Sequence, residues 1–251
     1  MTADPRAEYR RRIYGSYVTG RDEPLAPDTV EGLRPRLPYL RALVRRHFPA
    51  DRNARILDLG CGHGALLYVL HAAGYTQATG VDRSAEQVAA ARRLGIAGVS
   101  EGDVFQTLAG CADGSLDVVV AFDLIEHFGK DEVVPLVDEV HRVLRPGGLW
   151  IVHVPNAEGL FGAHSRYADF THEVAFTRAS LSQLLLASGF SRVACYEDTP
   201  VPHGAVSVFR AVAWWVIRQA LMFYVAVETG SWDRGAVFTQ NLLGVAHRPE
   251  R

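Results

Sequence analysis

The sequence is poor in several residue types, and each shortage excludes a class of protein. Its three cysteines, Cys61, Cys111 and Cys195, lie far apart and lack the spacing of a metal site. Lys130 is the only lysine, so arginine supplies the positive charge, and the net charge of −2 argues against a nucleic-acid-binding protein. No apolar core follows the arginines near Met1, so we expect no signal peptide. These features predict a cytoplasmic protein with reduced thiols and no nucleic-acid partner.

Apolar residues recur in short segments along the chain. They make up 48% of the 251 residues, enough for one domain with additions and a proper core. The segments alternate with helical patterns, which predicts a parallel sheet covered by helices on both faces. We predict strands at 55–59, 77–82, 97–100, 116–122 and 148–154, helices at 64–73, 84–94 and 131–144, and a loop after the third strand. Ligands of such sheets bind at the carboxyl ends of the strands.

Glycines follow the first predicted strand at alternate positions. Gly60 and Gly62 lack Cβ atoms, so the chain can turn sharply there and a ligand can approach the backbone closely. The helix predicted from Gly64 directs free N–H groups and the positive end of its dipole toward the same place. Asp58 can accept hydrogen bonds from a cationic or hydroxyl-bearing ligand. Because Gly60, Gly62 and Ala65 also match the dinucleotide fingerprint, the stretch indicates a nucleotide-like ligand without saying which, and a turn that binds nothing is the alternative.

Further polar residues follow the next strands at the same predicted edge. Asp82 ends the second strand and can hold a ribose diol, in a dehydrogenase as well as in a methyltransferase. Asp103 follows the third strand, where an acid can accept a hydrogen bond from the exocyclic amine of adenine. Phe122 and Asp123 end the fourth strand, and the turn at 145–148 (Arg-Pro-Gly-Gly) joins a helix to the fifth strand.

Taken together, these features resemble the class I S-adenosylmethionine-dependent methyltransferases. The closer similarity is to the small-molecule branch, which includes ubiquinone-biosynthesis and sugar O-methyltransferases. The resemblance implies an α/β, Rossmann-like class I methyltransferase fold, with a mostly parallel seven-stranded sheet, helices on both faces, an N-terminal helical arm and a C-terminal helical insert. It also implies S-adenosyl-L-methionine as the cofactor. The implied cofactor-binding residues are Asp58, Gly60, Cys61, Gly62, Gly64, Asp82, Arg83, Asp103, Val104, Phe122 and Asp123.

The chain divides into an arm and a domain under this interpretation. Residues 1–54 would form a helical arm that closes over the cofactor as a lid, and residues 55–251 would form the methyltransferase domain. Tyr9, Tyr14 and Tyr17 in the arm either contribute a stacking face or a hydroxyl near the methyl donor, or pack on the surface. A helix at 37–48 should pack on the sheet.

A polar insert at 155–175 contains the candidate catalytic residues. Methyl transfer to a hydroxyl needs a base, and we assign this role to His172, with Asp169 to orient or assist it. His127 remains a second candidate base, whereas Glu126 is better explained as shaping the pocket or capping a helix. A buried structural histidine is the alternative for His172. A metal site formed by His153, His164, Asp169 and His172 is a further alternative, but their spacing fits no standard ligand pattern, so we predict no metal.

The C-terminal part carries an apolar helical insert at 205–228. Arg210 and Arg218 interrupt the segment 206–227, and its longest uncharged run is too short to span a bilayer. The segment could pack on the sheet edge, form a homodimer interface, contact a membrane surface or cover an apolar substrate. We also predict a helix at 178–188, a strand at 191–196 and, within 236–247, a last strand that runs antiparallel at the sheet's edge.

These inferences predict an enzyme that transfers a methyl group from S-adenosylmethionine to oxygen on a small molecule. A sugar or glycan intermediate is the expected acceptor, and a quinone or lipid-like ring is the alternative. A non-catalytic S-adenosylmethionine-binding partner in a larger assembly is a third hypothesis. A nicotinamide-dependent dehydrogenase is a fourth, because Asp82 suits both classes.

Overall fold

A seven-stranded sheet forms the centre of the computed structural model, which describes residues 5–16 and 26–250, with side chains from residue 8 onward. The strands are β1 Ile56–Leu59, β2 Ala78–Asp82, β3 Val99–Glu101, β4 Leu116–Phe122, β5 Leu144–Pro155, β6 Ser191–Glu197 and β7 Asn241–His247. The helices are α1 Pro5–Gly15, α2 Leu37–His47, α3 Ala65–Ala72, α4 Ala85–Arg93, α5 Val104–Ala109, α6 Lys130–Val143, α7 Gly162–Tyr167, α8 Arg178–Ala187 and α9 Ala205–Thr229, with 3₁₀ turns at Val30–Leu33 and Ile125–His127.

The strand order is β3-β2-β1-β4-β5-β7-β6, and β1 to β5 are parallel. This confirms the predicted mostly parallel, doubly covered sheet. The last strand, β7, is antiparallel as predicted, but it lies between β5 and β6, so the prediction that it forms the edge is wrong. Residues 242–246 of β7 are buried throughout, as expected of an interior strand, whereas β6 is only partly covered and forms the edge.

The segment after β3 is helical, which corrects the predicted loop. Helix α5 begins after Asp103, whose Oδ1 accepts hydrogen bonds from the backbone N–H groups of Phe105 (2.9 Å) and Gln106 (3.2 Å). Such an N-cap stabilises a helix start by about 1 kcal/mol. The predicted cap of α4 is confirmed, because Ser84 Oγ accepts from the N–H of Gln87 at 3.4 Å.

Helices on the two faces bury two apolar clusters against the sheet. One cluster joins α2 and α3 to β1 and β5, and the predicted packing of α2 through Leu40, Leu43 and Val44 is confirmed. The other joins α6 and α8 to the opposite face, where Trp150 is fully buried. Because both faces are covered, the open carboxyl edge of the parallel strands is left to form a site.

Helix α9 is a single helix of 25 residues that is mostly exposed. By length and composition alone it is long and apolar enough to cross a membrane, and it is the one such helix among the described residues. Arg210 and Arg218 interrupt this helix, and the prediction that its longest uncharged run is too short to span a bilayer stays a prediction.

Candidate active site

The glycine loop leads from β1 into α3 through three residues with left-handed backbone conformations. Their φ angles are +66° at Gly60, +54° at Gly62 and +80° at Gly64. Side chains rarely adopt these angles, which explains the alternate glycines. Gly64 is the N-cap of α3, so the N–H groups of the first turn point toward the carboxyl ends of the strands.

We predict that Gly64→Ala destabilises the protein by about 2–4 kcal/mol, through left-handed strain plus overpacking. A Cβ at Gly64 would lie 2.8 Å from Val99 Cγ2 and 2.9 Å from Ile96 Cγ2. Gly95→Ala is the matched control, because Gly95 has φ +70° but nothing within 4 Å of its Cβ position. It should cost only about 1–2 kcal/mol in urea unfolding. Equal losses in the two variants would contradict the steric explanation.

Two acidic side chains lie beside this loop. Asp82 holds the glycine loop in place. Its Oδ2 accepts a hydrogen bond from the N–H of Gly62, and its Oδ1 accepts one from the N–H of Ser84, both at 2.8 Å. Asp58 is buried, and its Oδ1 has no hydrogen-bond partner among the described residues. Burial and the nearby charge of Asp82 raise the pKa of Asp58 to about 8. A cationic or hydrogen-bonding ligand group would satisfy the unpaired Oδ1 of Asp58.

A cavity of about 410 Å³ opens at this edge of the sheet. Every predicted catalytic and cofactor-binding residue lines it except Gly64, which shapes the turn behind it. The lining predicted residues are Asp58, Gly60, Cys61, Gly62, Asp82, Arg83, Asp103, Val104, Phe122, Asp123, His127, Asp169 and His172. Sequence reasoning missed His63, Gln87 and Asn241. His63 could have been predicted to line the cavity from its position inside the glycine loop. Asn241 belongs to β7, far away in the sequence, and no sequence pattern indicated its place in the cavity.

Asp123 is held in place by a buried histidine. It adopts φ +50°, and its Oδ1 lies 2.7 Å from Nδ1 of His153. On the other side, His153 Nε2 lies 3.4 Å from Oδ2 of Asp198. Burial alone would lower the pKa of His153, but the charge and hydrogen bond of Asp123, assisted by Asp198, raise it to about 10. The imidazolium therefore keeps Asp123 ionised at the cavity wall.

His127 belongs to a chain of hydrogen bonds that fixes its proton. The Thr171 hydroxyl donates to Asp169 Oδ1 at 2.6 Å, so it accepts from Nδ1–H of His127 at 2.8 Å. The Nε2 atom of His127 therefore carries a lone pair. Burial and the proximity of His172 lower the pKa of His127 to about 3, so the ring is neutral. In this geometry Asp169 orients His127 through Thr171, although the sequence prediction paired Asp169 with His172.

His172 faces a buried carboxylate that the sequence interpretation treated as structural. Its Nδ1–H donates to the carbonyl oxygen of Ser165 at 3.2 Å, which leaves Nε2 unprotonated, 4.0 Å from Oε1 of Glu126. Burial lowers the pKa of His172. Glu126 is fully buried, and neither of its oxygens has a hydrogen-bond partner among the described residues. Burial and the charge of Asp123 raise the pKa of Glu126 well above its usual range.

The possible metal ligands differ from those considered in the sequence. Possible ligand atoms of Glu126, His127 and His172 all lie within 4.8 Å of one another. Among the described residues, this is the group of side chains that could bind a metal ion. His153 instead pairs with Asp123, and His164 is exposed on α7. One carboxylate with two imidazoles is a donor set that suits a divalent transition metal, as it suits acid–base chemistry.

The N-terminal helix α1 lies against the pair of neighbouring histidines, His127 and His172. Arg10 is buried and donates to Oε2 of Glu132 at 2.7 Å and to the carbonyl oxygen of His127 at 2.9 Å. Tyr14 lines the cavity, with its ring centroid 6.4 Å from that of His127, while the Tyr9 hydroxyl donates to Glu173. Tyr17 lies outside the described residues.

The lining fits S-adenosylmethionine as the resemblance implied. Asp58 offers a buried acceptor with no partner among the described residues, beside glycines whose backbone a ligand can approach. Asp82 lies at the carboxyl end of β2, where a ribose would bind, and Asp103 follows β3, where adenine would bind. Phe122 and Asp123 connect this part of the cavity to the histidine pair.

Comparison with known proteins assigns the chain to a family. The profile of a methyltransferase domain family matches residues 33–194. A probable S-adenosylmethionine-dependent methyltransferase of Mycolicibacterium smegmatis is 38% identical over 94 residues, which cover 37% of this chain and 34% of that protein. The O-methyltransferase resE of Aspergillus sclerotiorum is 27% identical over 189 residues, covering 70% of this chain and 68% of that protein. The chain thus spans about a third of the mycobacterial relative and two thirds of the fungal one.

A solved structure supports the fold. The crystal structure of a SAM-dependent methyltransferase from Archaeoglobus fulgidus superposes with a TM-score of 0.63 at 19% identity, covering 98% of this chain and all of that chain. The chain belongs to the methyltransferase domain family, since the family profile covers more than half of its residues. The predictions of a class I methyltransferase fold and of S-adenosylmethionine as the cofactor are thereby confirmed.

Proposed function

We propose that this protein transfers a methyl group from S-adenosylmethionine to a hydroxyl oxygen of a small molecule. One observation supports oxygen as the acceptor atom: His172 lines the cavity with an unprotonated Nε2, beside the buried Glu126. An oxygen acceptor must lose a proton during the transfer, whereas an amine could react with little more than positioning. The name of the fungal relative, an O-methyltransferase, agrees with this proposal.

The mechanism is a direct displacement. S-Adenosylmethionine supplies an electrophilic methyl group on its sulfonium sulfur. The chain would hold the acceptor hydroxyl near Asp123 and His172, and Nε2 of His172 would take its proton as the hydroxyl oxygen accepts the methyl group from the cofactor. Glu126, when ionised, stabilises the resulting imidazolium of His172. Asp169 and Thr171 hold the neighbouring His127 in one orientation.

The acceptor that we propose first is a sugar or glycan intermediate. The polar insert at 155–175 supports it, because Ser165, Asp169 and His172 of this insert line the cavity and carry hydrogen-bonding groups. The same insert exposes Phe161 and Phe170, which supports a quinone or lipid-like acceptor as the second candidate. We also propose that the enzyme acts in the cytoplasm, and that the arm 1–54 closes the cavity as a lid anchored by Arg10.

Turnover with a panel of acceptors tests the proposal. Formation of S-adenosylhomocysteine should be measured with nucleotide sugars, glycan fragments, catechols and quinols, and with amines of similar size. Hydroxyl acceptors should be methylated and the amines should not. Turnover of amines alone would contradict O-methylation. Cofactor binding without turnover, together with full cellular activity of His172 and His127 variants, would instead support the non-catalytic binding partner.

The pH dependence of kcat/KM should report the lowered pKa of His172. The neutral ring is the base, so activity is present above the pKa of His172 and is lost as the pH falls through it. Because burial lowers this pKa from its ordinary 6.5, the acid limb should lie below pH 6.5. The measurement is kcat/KM between pH 4.5 and 9 at saturating cofactor, over roughly the range in which histidine and neighbouring groups titrate. An acid limb centred above pH 7 would contradict this assignment.

We predict that turnover does not require a metal ion. Enzyme dialysed against a chelator should keep its activity, and added Mg²⁺, Mn²⁺ or Zn²⁺ should change kcat less than about twofold, because His172 itself accepts the proton. Activity that vanishes on chelation and returns with one of these ions would show that Glu126, His127 and His172 bind a metal.

A further inference from the structure

Helix α9 turns its large apolar side chains toward solvent. Phe209 is 72% exposed and Phe223 is 63% exposed. The side of the helix that faces the domain carries its two buried residues, Ser207 and Met222. Single exposed apolar residues are ordinary on protein surfaces, but a contiguous apolar face marks an interaction site. The exposed face includes Phe209, Val212, Trp215, Val216, Phe223 and Val227.

The opposite side of α9 is fixed to the domain. Arg218 donates from Nε to Oε2 of Glu197 at 3.0 Å, and from Nη2 to the carbonyl oxygens of Arg234 (3.0 Å) and Ala236 (3.1 Å). Met222, one turn further along, is buried. These contacts hold the helix along the surface of the domain, so it is placed to lie on a membrane surface rather than to cross a bilayer.

Basic residues of α2 lie close to the domain-facing side of α9. Arg46 and His47 at the end of α2 line a groove together with Arg218 of α9. Arg41 and Arg45 are exposed on the same helix, Arg34 precedes it, and no acidic residue occurs between Gly32 and Ala50. An apolar helix beside clustered arginines is complementary to an anionic lipid surface.

The active-site cavity opens at the edge of the sheet where α9 begins. Strands β5 and β6 both run antiparallel to β7, so their carboxyl ends lie at the same edge. The insert after β5 lines the cavity mouth and exposes Phe161 (60%) and Phe170 (81%). The chain after β6 leads into α9. An external surface in contact with the exposed face of α9 would therefore lie near the mouth of the cavity, through which the acceptor would enter.

We propose that the exposed face of α9 and the arginines of α2 dock on an anionic lipid bilayer, where the enzyme methylates an acceptor carried by a lipid. This inference rests on the proposed function and specifies its substrate class. A second copy of the chain fits less well. The apolar face from Phe209 to Val227 is about 27 Å long and about 10 Å wide, so pairing two copies would bury about 300 Å² on each, less than half of the roughly 800 Å² of a stable interface.

Vesicle cosedimentation of the full chain tests the proposal. Vesicles of phosphatidylcholine with about 30% phosphatidylglycerol should bind the protein at least tenfold more tightly than phosphatidylcholine alone, and high salt should weaken this binding. The double variant Phe209→Asp/Phe223→Asp should lose at least tenfold in affinity. Arg41→Gln/Arg45→Gln/Arg46→Gln should lose roughly 100-fold, because each arginine near an anionic surface contributes about fivefold. Leu186→Asp, at an exposed position of α8, is the matched control and should bind like the wild type.

Unchanged vesicle binding in the α9 double variant, or absence of binding by the wild type, would overturn the proposal. A wild-type dimer that the α9 double variant converts to a monomer in light scattering would overturn it too, because a second copy would then cover the face. Failure of docking is distinguishable from failure of the proposed function. The α9 and α2 variants should bind S-adenosylhomocysteine, and methylate a soluble hydroxyl acceptor, as well as the wild type, whatever the vesicles show.

Discussion

An Asp82→Asn variant should bind S-adenosylmethionine and S-adenosylhomocysteine about 100-fold more weakly than the wild type. A ribose diol donates to the carboxylate, and hydrogen bonds to a charged group contribute about 1.5–3 kcal/mol each. The loss of roughly 3 kcal/mol corresponds to about two orders of magnitude in Kd. The amide keeps one acceptor oxygen for the N–H of Gly62 or Ser84, so the glycine loop loses less support than in Asp82→Ala. Titration calorimetry gives the affinities.

The control for this prediction is another aspartate that supports the backbone away from the cavity. Asp117 accepts from the N–H of Arg55 at 2.8 Å near the amino end of β4, at the opposite edge of the sheet. Asp117→Asn should leave the Kd of S-adenosylhomocysteine unchanged. A nicotinamide dinucleotide should bind neither variant. Wild-type affinity in Asp82→Asn would show that Asp82 only organises the loop.

A His172→Gln variant should lose about 10²–10⁴-fold in kcat with a hydroxyl acceptor, which is the usual contribution of a general base. Its Kd for S-adenosylhomocysteine should change little, because the proposed function places His172 beside the acceptor and away from the glycine loop. Glutamine can still form a hydrogen bond with the carbonyl oxygen of Ser165, so the insert should keep its fold. The measurements are steady-state turnover and calorimetry on the same preparation.

His164→Gln is the matched control, because His164 belongs to the same insert but is exposed. It should turn over like the wild type. Retention of more than a tenth of kcat in His172→Gln would contradict the assignment of His172 as the base. A loss confined to KM would show instead that His172 only positions the acceptor.

Much of the fold could be predicted from local patterns. The strand at 116–122 has the predicted bounds, and the ends of β1, β2, α3 and α4 differ from prediction by at most one residue. These elements have strong periodicity or caps, such as Ser84, which act over a few residues. Helix α5 was missed because six residues are too few to show a helical period, although Asp103 was an available cap signal.

The candidate site also has a part that the sequence predicts and a part that it does not. The glycine loop and the acids at 58, 82 and 103 were predictable, because each lies within two residues of the carboxyl end of a strand, and parallel strands bring these ends to one edge. The pairing of side chains was not predictable. Glu126 meets His172, and Asp169 reaches His127 through Thr171, only because the insert folds back on the 3₁₀ turn after β4.

The sequence by itself determined the alternating parallel sheet, the edge that carries the candidate cofactor site and the residues of the glycine loop, because chain direction and local backbone conformation decide these features. Only the tertiary structure decided that β7 lies inside the sheet, that Glu126 is buried beside two neutral histidines, and that α9 exposes its apolar face. Strand neighbours, desolvation and helix orientation depend on contacts between residues far apart in the chain, which no local pattern contains.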